Sequence, residues 1–270
     1  MEMHKGIPMF ECLKEKQPVD SFTKTVQCKN LNHKPYEAEF VKYEDGTFSQ
    51  ITSCPECDKE KLEQETKRLE KEEREENIQH CKNCNIEPEF YNIKIDDYKA
   101  TTESQEKALN AVKAMLNFEL KKIVLLGSNG TGKTMLGSIL AKELNGKIYS
   151  MYEISTMIRQ SYTMKADKTE LEIVRELASI PFLAIDEVGR TNGSKAEKDW
   201  LSYIIDKRHS RGLPFMMISN AHLLKNCPNG NNGCPDCFEN YMDKDVISRL
   251  RQNSKVINII ADDFRKKTNR

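Results

Sequence analysis

Residues 127–134 read GSNGTGKT, directly after the apolar run Ile123, Val124, Leu125, Leu126 and directly before the helical pattern MLGSILAKEL. Gly127, Gly130 and Gly132 allow dihedrals closed to other residues, so successive N–H groups around Ser128, Asn129 and Thr131 can converge on phosphate oxygens. Lys133 then reaches the β- and γ-phosphates as a point charge, and the Thr134 hydroxyl is placed to ligate Mg²⁺ in the first helical turn. This strand, loop and helix order predicts a nucleoside triphosphate site, with ATP and Mg²⁺ as cofactors.

A partner motif lies at 181–187, PFLAIDE. Four apolar residues after a proline suit a strand buried on both faces, and its two carboxylates fall at the C-terminal end, where ligands bind in open α/β sheets. Asp186 would hold Mg²⁺, directly or through water, and Glu187 would polarise the attacking water as general base.

A separate chemistry resides in the nine cysteines. For a chain of this size two CxxC knuckles and a further CPDC point to zinc rather than to disulfides. Cys28, His33, Cys54 and Cys57 are expected to close a tetrahedral structural site. CPEC at 54–57 and CKNC at 81–84 are separated by roughly twenty helical residues, about 30 Å, and so belong to different sites. Cys81, Cys84, Cys227, Cys234 and Cys237 remain for a second zinc site. Either CKNC meets CPDC across the fold, or His222 joins the three cysteines of the loop; unligated thiols are the third alternative. Cys12 receives no role.

The elements that must position these groups follow from periodicity. Residues 20–57 carry alternating stretches such as YEAEFVKY and the turn-like EDGT, a small β-rich zinc-binding unit within 1–57. Asp58 to about Ile78 is a charged, solvated helix, and 58–96 reads as a spacer that ends in the CKNC knuckle. From about Asp97 to the end, the strand Ile123–Leu126 before the phosphate loop and the strands KIYSMY, PFLAID, PFMMISN and KVINII alternate with helical patterns. That predicts an α/β P-loop ATPase core at 97–270, a parallel five-stranded sheet with helices on both faces, carrying a Cys-rich insertion at 226–238. Trp200, Leu201, Ile204 and Ile205 share one side of the helix after Asp186 and read as core.

Composition narrows the function classes. Charged residues make up 31% and cancel to a formal net charge of +0, so nucleic-acid binding must rely on local patches. Lys195, Lys198, Lys207, Arg208 and Arg211, with Arg159 and Lys165 near Tyr162, are the candidates for DNA contact. No apolar run approaches the length of a membrane span, so a cytoplasmic protein without membrane contact is expected.

The segment IDEVG…SKAEKDWLSYIIDKRHSRGLPFMMISN, and DVISRLRQNSKVINIIADDFRKK after it, resemble the bacterial replicative-helicase loaders of the DnaC type, an AAA+ family, over roughly residues 86–270. The resemblance implies that Asn220 is the polar sensor of the γ-phosphate and attacking water. It likewise implies that Arg249 is an arginine finger presented to a neighbouring subunit, and that Arg265 is the sensor-two arginine. About ten residues follow KVINII, which leaves no room for a full C-terminal helical lid or for an initiator's helix-turn-helix domain. By the same resemblance the N-terminal unit grips a hexameric replicative helicase, the core binds single-stranded DNA, and ATP hydrolysis times the loading. The runner-up is an ATPase helper of a DNA transposase, of the IstB type. A zinc-stabilised adaptor that barely hydrolyses ATP is the third reading, against which Glu187 and Asn220 argue. The Cys-rich loop and the extra CKNC depart from the bacterial loader pattern and suit a phage or mobile element.

Overall fold

A computed structural model describes residues 18–190, 194–227, 234, 236–242 and 244–264. The chain forms two compact units, Met1–Arg74 and Glu75–Arg270.

In the first unit β1 (Pro18–Val26), β2 (Tyr36–Tyr43) and β3 (Phe48–Gln50) make an antiparallel sheet in that order. Period-two alternation puts Phe22 opposite Phe40 and Lys42 opposite Phe48 on one face, where the Phe22 ring stacks on Phe40 and meets Phe48 edge-on. The EDGT turn joins β2 to β3, with Gly46 N donating to Tyr43 O at 2.9 Å. Helix α1 (Pro55–Asn83) begins with proline at a position where its missing N–H costs nothing. It runs into CKNC as far as Asn83, beyond the expected end near Ile78, and Cys81 is its buried residue.

The second unit contains α2 (Glu103–Leu116), β4 (Lys122–Gly127), α3 (Lys133–Glu143), β5 (Lys147–Ser150) and α4 (Met151–Gln160). It continues through α5 (Glu170–Leu177), β6 (Leu183–Asp186), α6 (Lys195–Arg211), β7 (Phe215–Ser219), α7 (Lys244–Arg251) and β8 (Ser254–Ile259). All five strands are parallel, in the order β5-β6-β7-β4-β8. Both faces are covered, as an all-parallel sheet requires. Alternation along β4 sends Ile123 and Leu125 into the core under α2 and α3, and Val124 and Leu126 into the core under α4 to α7. The expected AAA+ fold is therefore present, and its order places β7, which leads into Asn220, between the strands that carry the two nucleotide motifs.

Candidate nucleotide site and cysteine clusters

The phosphate-binding loop spans the gap between β4 and α3, and its last glycine is the N-cap of α3. Gly132 holds φ at +87°, and a Cβ there would fall 2.6 Å from the ring of Tyr98, so both the dihedral and the neighbour demand glycine. Tyr98 is buried, donates its hydroxyl to Thr131 O at 3.3 Å and meets Phe264 edge-on. Periodicity gave no sign of this wall behind the loop, because Tyr98 stands in an irregular connection.

Lys133 Nζ lies inside the loop, donating to Gly127 O at 2.8 Å and Ser128 O at 2.6 Å. Thr134 Oγ1 donates to Asp186 Oδ2 at 2.7 Å, so the two proposed Mg²⁺ ligands are already side by side. Hard oxygen donors of this kind suit Mg²⁺. Burial pushes the Asp186 carboxyl up from its usual range, opposed by the Thr134 hydroxyl and the Glu187 N–H. A bound divalent cation would reverse that burial effect. Glu187 follows at φ +56° and pairs with Arg190, a partner that the sequence reading missed although it lies three residues on. Asn220 is exposed at the end of β7 and lines, with Glu187 and Asn129, a cavity of about 710 Å³.

Arg249 lies on α7, where it forms an ion pair with Asp206 of α6. Arg265 falls outside the described residues. Of the proposed DNA contacts, Lys195, Lys207 and Arg211 are exposed, whereas Arg208 is fully buried. Its guanidinium donates to Leu177 O, Ile180 O, Pro181 O and Pro214 O at 2.6–3.3 Å. Arg208 therefore ties carbonyls at the ends of α5 and α6 and is withdrawn as a candidate for DNA contact.

Cys28, His33, Cys54 and Cys57 come together with their donor atoms within 4.8 Å of one another. His33 Nδ1 is 3.3–3.6 Å from the three sulfurs. With Zn–S of about 2.3 Å and Zn–N of about 2.0 Å, tetrahedral ligand atoms stand about 3.5–3.8 Å apart, so the donor set fits zinc. On the far side of the ring, His33 Nε2 meets Glu60 Oε1 at 3.0 Å, the carboxylate contact that orients metal-bound histidines. Hydrogen bonding from Cys28 pushes the Cys57 thiol up to about 12, with burial adding to it, and a cation is what would let both sulfurs ionise together.

A second group, His222, Cys227, Cys234 and Cys237, is equally close. Here the local alternative of the two sequence readings is the one the geometry assembles. Among the described residues Cys81 and Cys84 join no group of three or more metal donors. They are buried in the core with Ile86 and Tyr98, and burial raises both thiols. Cys84 O also accepts from Ile148 N at 3.1 Å. Their expected zinc role gives way to a packing role at the end of α1.

Residues 55–270 match the family model described as IstB-like ATP binding protein. The replicative helicase loader DnaC of Escherichia coli K12 is 27% identical over 164 residues, which cover 57% of this chain and 66% of that protein. The loader of Buchnera aphidicola subsp. Baizongia pistaciae is 31% identical over 144 residues, 51% of this chain and 56% of that one. The chain thus spans less than two thirds of the length of these curated relatives. A crystal structure of the DnaC helicase loader superposes with a TM-score of 0.51 at 19% identity, covering 64% of this chain and 100% of that chain. A replication initiator DnaA bound to AMPPCP and single-stranded DNA gives 0.51 at 18% identity, over 65% and 51%. At these identities the structures speak to the fold.

Proposed function

The chain belongs to the IstB-like ATP-binding family, and from that premise we propose that it is an ATP-driven loader of a hexameric replicative helicase onto single-stranded DNA. The observation that carries the reading is the convergence of Lys133, Thr134, Asp186, Glu187 and Asn220 at one end of an AAA+ sheet, in a chain similar to curated helicase loaders. A module that only binds ATP has no use for a water-polarising carboxylate.

Lys133 and the loop N–H groups hold the triphosphate. Thr134 and Asp186 would hold Mg²⁺, which supplies charge neutralisation on the phosphates. Glu187 takes the proton of the attacking water, and Asn220 orients that water against the γ-phosphate. Arg249 completes the site of an adjacent subunit, so turnover depends on self-association. The N-terminal unit, set by the cluster at Cys28, His33, Cys54 and Cys57, takes the helicase. Lys195, Lys207 and Arg211 on α6, with Arg159 and Lys165, give a modest basic surface for weak, salt-sensitive contact with single-stranded DNA. The chain acts in the cytoplasm; among the described residues no helix is long and apolar enough to cross a membrane.

Mass photometry of the chain with its host's replicative helicase tests this, with ATP and single-stranded DNA added separately. A discrete complex of a helicase hexamer with several copies of this chain is expected. No complex under any condition would overturn the loader reading in favour of the IstB-type transposase helper, to be tried next with double-stranded DNA and a transposase.

A further inference from the structure

The cysteines of the segment between β7 and α7 close on His222, which stands two residues beyond Asn220. His222 Nε2 is 3.4 Å from Cys237 Sγ and 3.7 Å from Cys234 Sγ, and Cys227 Sγ lies within 4.8 Å of each of them. Those separations are what a tetrahedral zinc ion sets between thiolate and imidazole ligands. The backbone closes the same ring. His222 N donates to Asp236 O at 3.0 Å, and Phe238 N donates to His222 O at 2.9 Å.

This ring is built into the catalytic edge of the ATPase core. His222, Asp236 and Tyr241 line the cavity that also holds Glu187 and Asn220. The turn after Glu187 rests on the cysteine segment at Gly189, whose φ is +88° and where a Cβ would fall 2.4 Å from the Tyr241 ring. Ser219 Oγ donates to Val188 O at 2.5 Å and accepts from Ala221 N at 3.0 Å, which ties the exit of β7 to that turn. Phe238 and Met242 enter the core beside Val188 and Ala221. A cross-link among the four donors therefore restrains two things: the short path from His222 back to Asn220, and the Tyr241 platform beneath the Glu187 turn.

We propose that His222, Cys227, Cys234 and Cys237 hold one zinc ion that clamps Asn220 and the Glu187 turn in the geometry for hydrolysis without itself touching the nucleotide. The four ligands are positioning residues, and the inference rests on the ATPase reading above. Loss of this ion leaves ATP binding in place, since Lys133 and the phosphate loop lie on other elements, and it slows the chemical step.

The test counts zinc on the full chain purified under reducing conditions, alongside ATP turnover and binding of a fluorescent ATP analogue. Two zinc ions per chain are expected for the wild type, and one each for Cys237→Ser and Cys57→Ser. Cys237→Ser should keep analogue affinity and KM within about threefold, while kcat falls by about tenfold to a hundredfold. His222→Cys, a four-thiolate set that also suits tetrahedral zinc, should keep both ions and most of the turnover, and it reads out even where Cys237→Ser does not fold. A wild type with a single zinc that Cys57→Ser removes would overturn the site. Loss of the second zinc with kcat unchanged would overturn the clamp. A wild type without turnover would overturn the clamp together with the hydrolysis reading, and the zinc count would still decide the metal site.

Discussion

Glu187 is held in a left-handed backbone conformation at the end of β6, which for a non-glycine residue costs on the order of 1–3 kcal/mol. Surrounding structure sustains that cost: Val188 N donates to Ile218 O at 2.9 Å, Asp186 Oδ1 accepts the Glu187 N–H at 2.6 Å, and Val188 is buried. The conformation turns the Glu187 carboxylate to a cavity that Asn129 of the phosphate loop and Asn220 also line, the placement a general base needs. Glu187→Gln should therefore leave the affinity for an ATP analogue within about twofold and lower kcat by about a hundredfold or more. Steady-state turnover beside an equilibrium binding curve measures both, and wild-type turnover in this variant would remove Glu187 from the base role. Asp186 and Glu187 were legible because a buried strand ends on them. Arg190 was not, since an arginine three residues past a strand end carries no periodic signal, and its pairing arises from the turn at Gly189.

Among the elements, the strands were readable because a sheet buried on both faces needs unbroken apolar runs, as in Ile123–Leu126 and Phe215–Ile218. Helix α6 shows where that logic ends. Its charges were read as a basic face, yet Arg208 falls on the same side as Trp200, Leu201, Ile204 and Ile205 and is as buried as they are. Position on the helix decided its fate over residue type, and the four carbonyl partners come from segments that no local pattern brings together. Burial pulls its guanidinium down to about 10, the direction expected for a cation taken out of water. Arg208→Ala should cost about 3–5 kcal/mol in a urea unfolding titration, because several carbonyls lose their donor inside the core. Lys207→Ala, on the exposed side of the same helix, should stay within about 0.5 kcal/mol of wild type. If Arg208→Ala instead folded as stably as wild type and lost affinity for single-stranded DNA, the structural role would be wrong. The cysteine pairing was legible by the same kind of argument only in part. A helix could be seen to separate CPEC from CKNC, but the burial of Cys81 and Cys84 against Tyr98 depends on tertiary packing.

For the whole molecule, the position of Arg249 bears on whether the proposed hydrolysis runs within one chain or between neighbours. Arg249 O accepts from Lys122 Nζ at 2.9 Å, which pins this part of α7 to the start of β4. The phosphate loop leaves the other end of that strand, at Gly127, five residues along and so about 16 Å away. Its guanidinium is held on Asp206 of the same chain, and no arginine side chain spans such a distance to reach its own γ-phosphate. The finger role proposed for Arg249 would therefore be exerted in the site of a neighbour, with an assembly as the active species. Mixing two variants tests this directly. Arg249→Ala keeps a complete nucleotide site and lacks the finger, and Lys133→Ala keeps the finger and lacks the site; each alone should be nearly inactive. An equal mixture should recover about a quarter of wild-type turnover per subunit, because half the subunits carry a working site and half of those meet a working finger when neighbours assort at random. Co-assembly shown by mass photometry without any recovery of turnover would exclude a finger acting in trans, and full activity of Arg249→Ala alone would exclude the finger altogether.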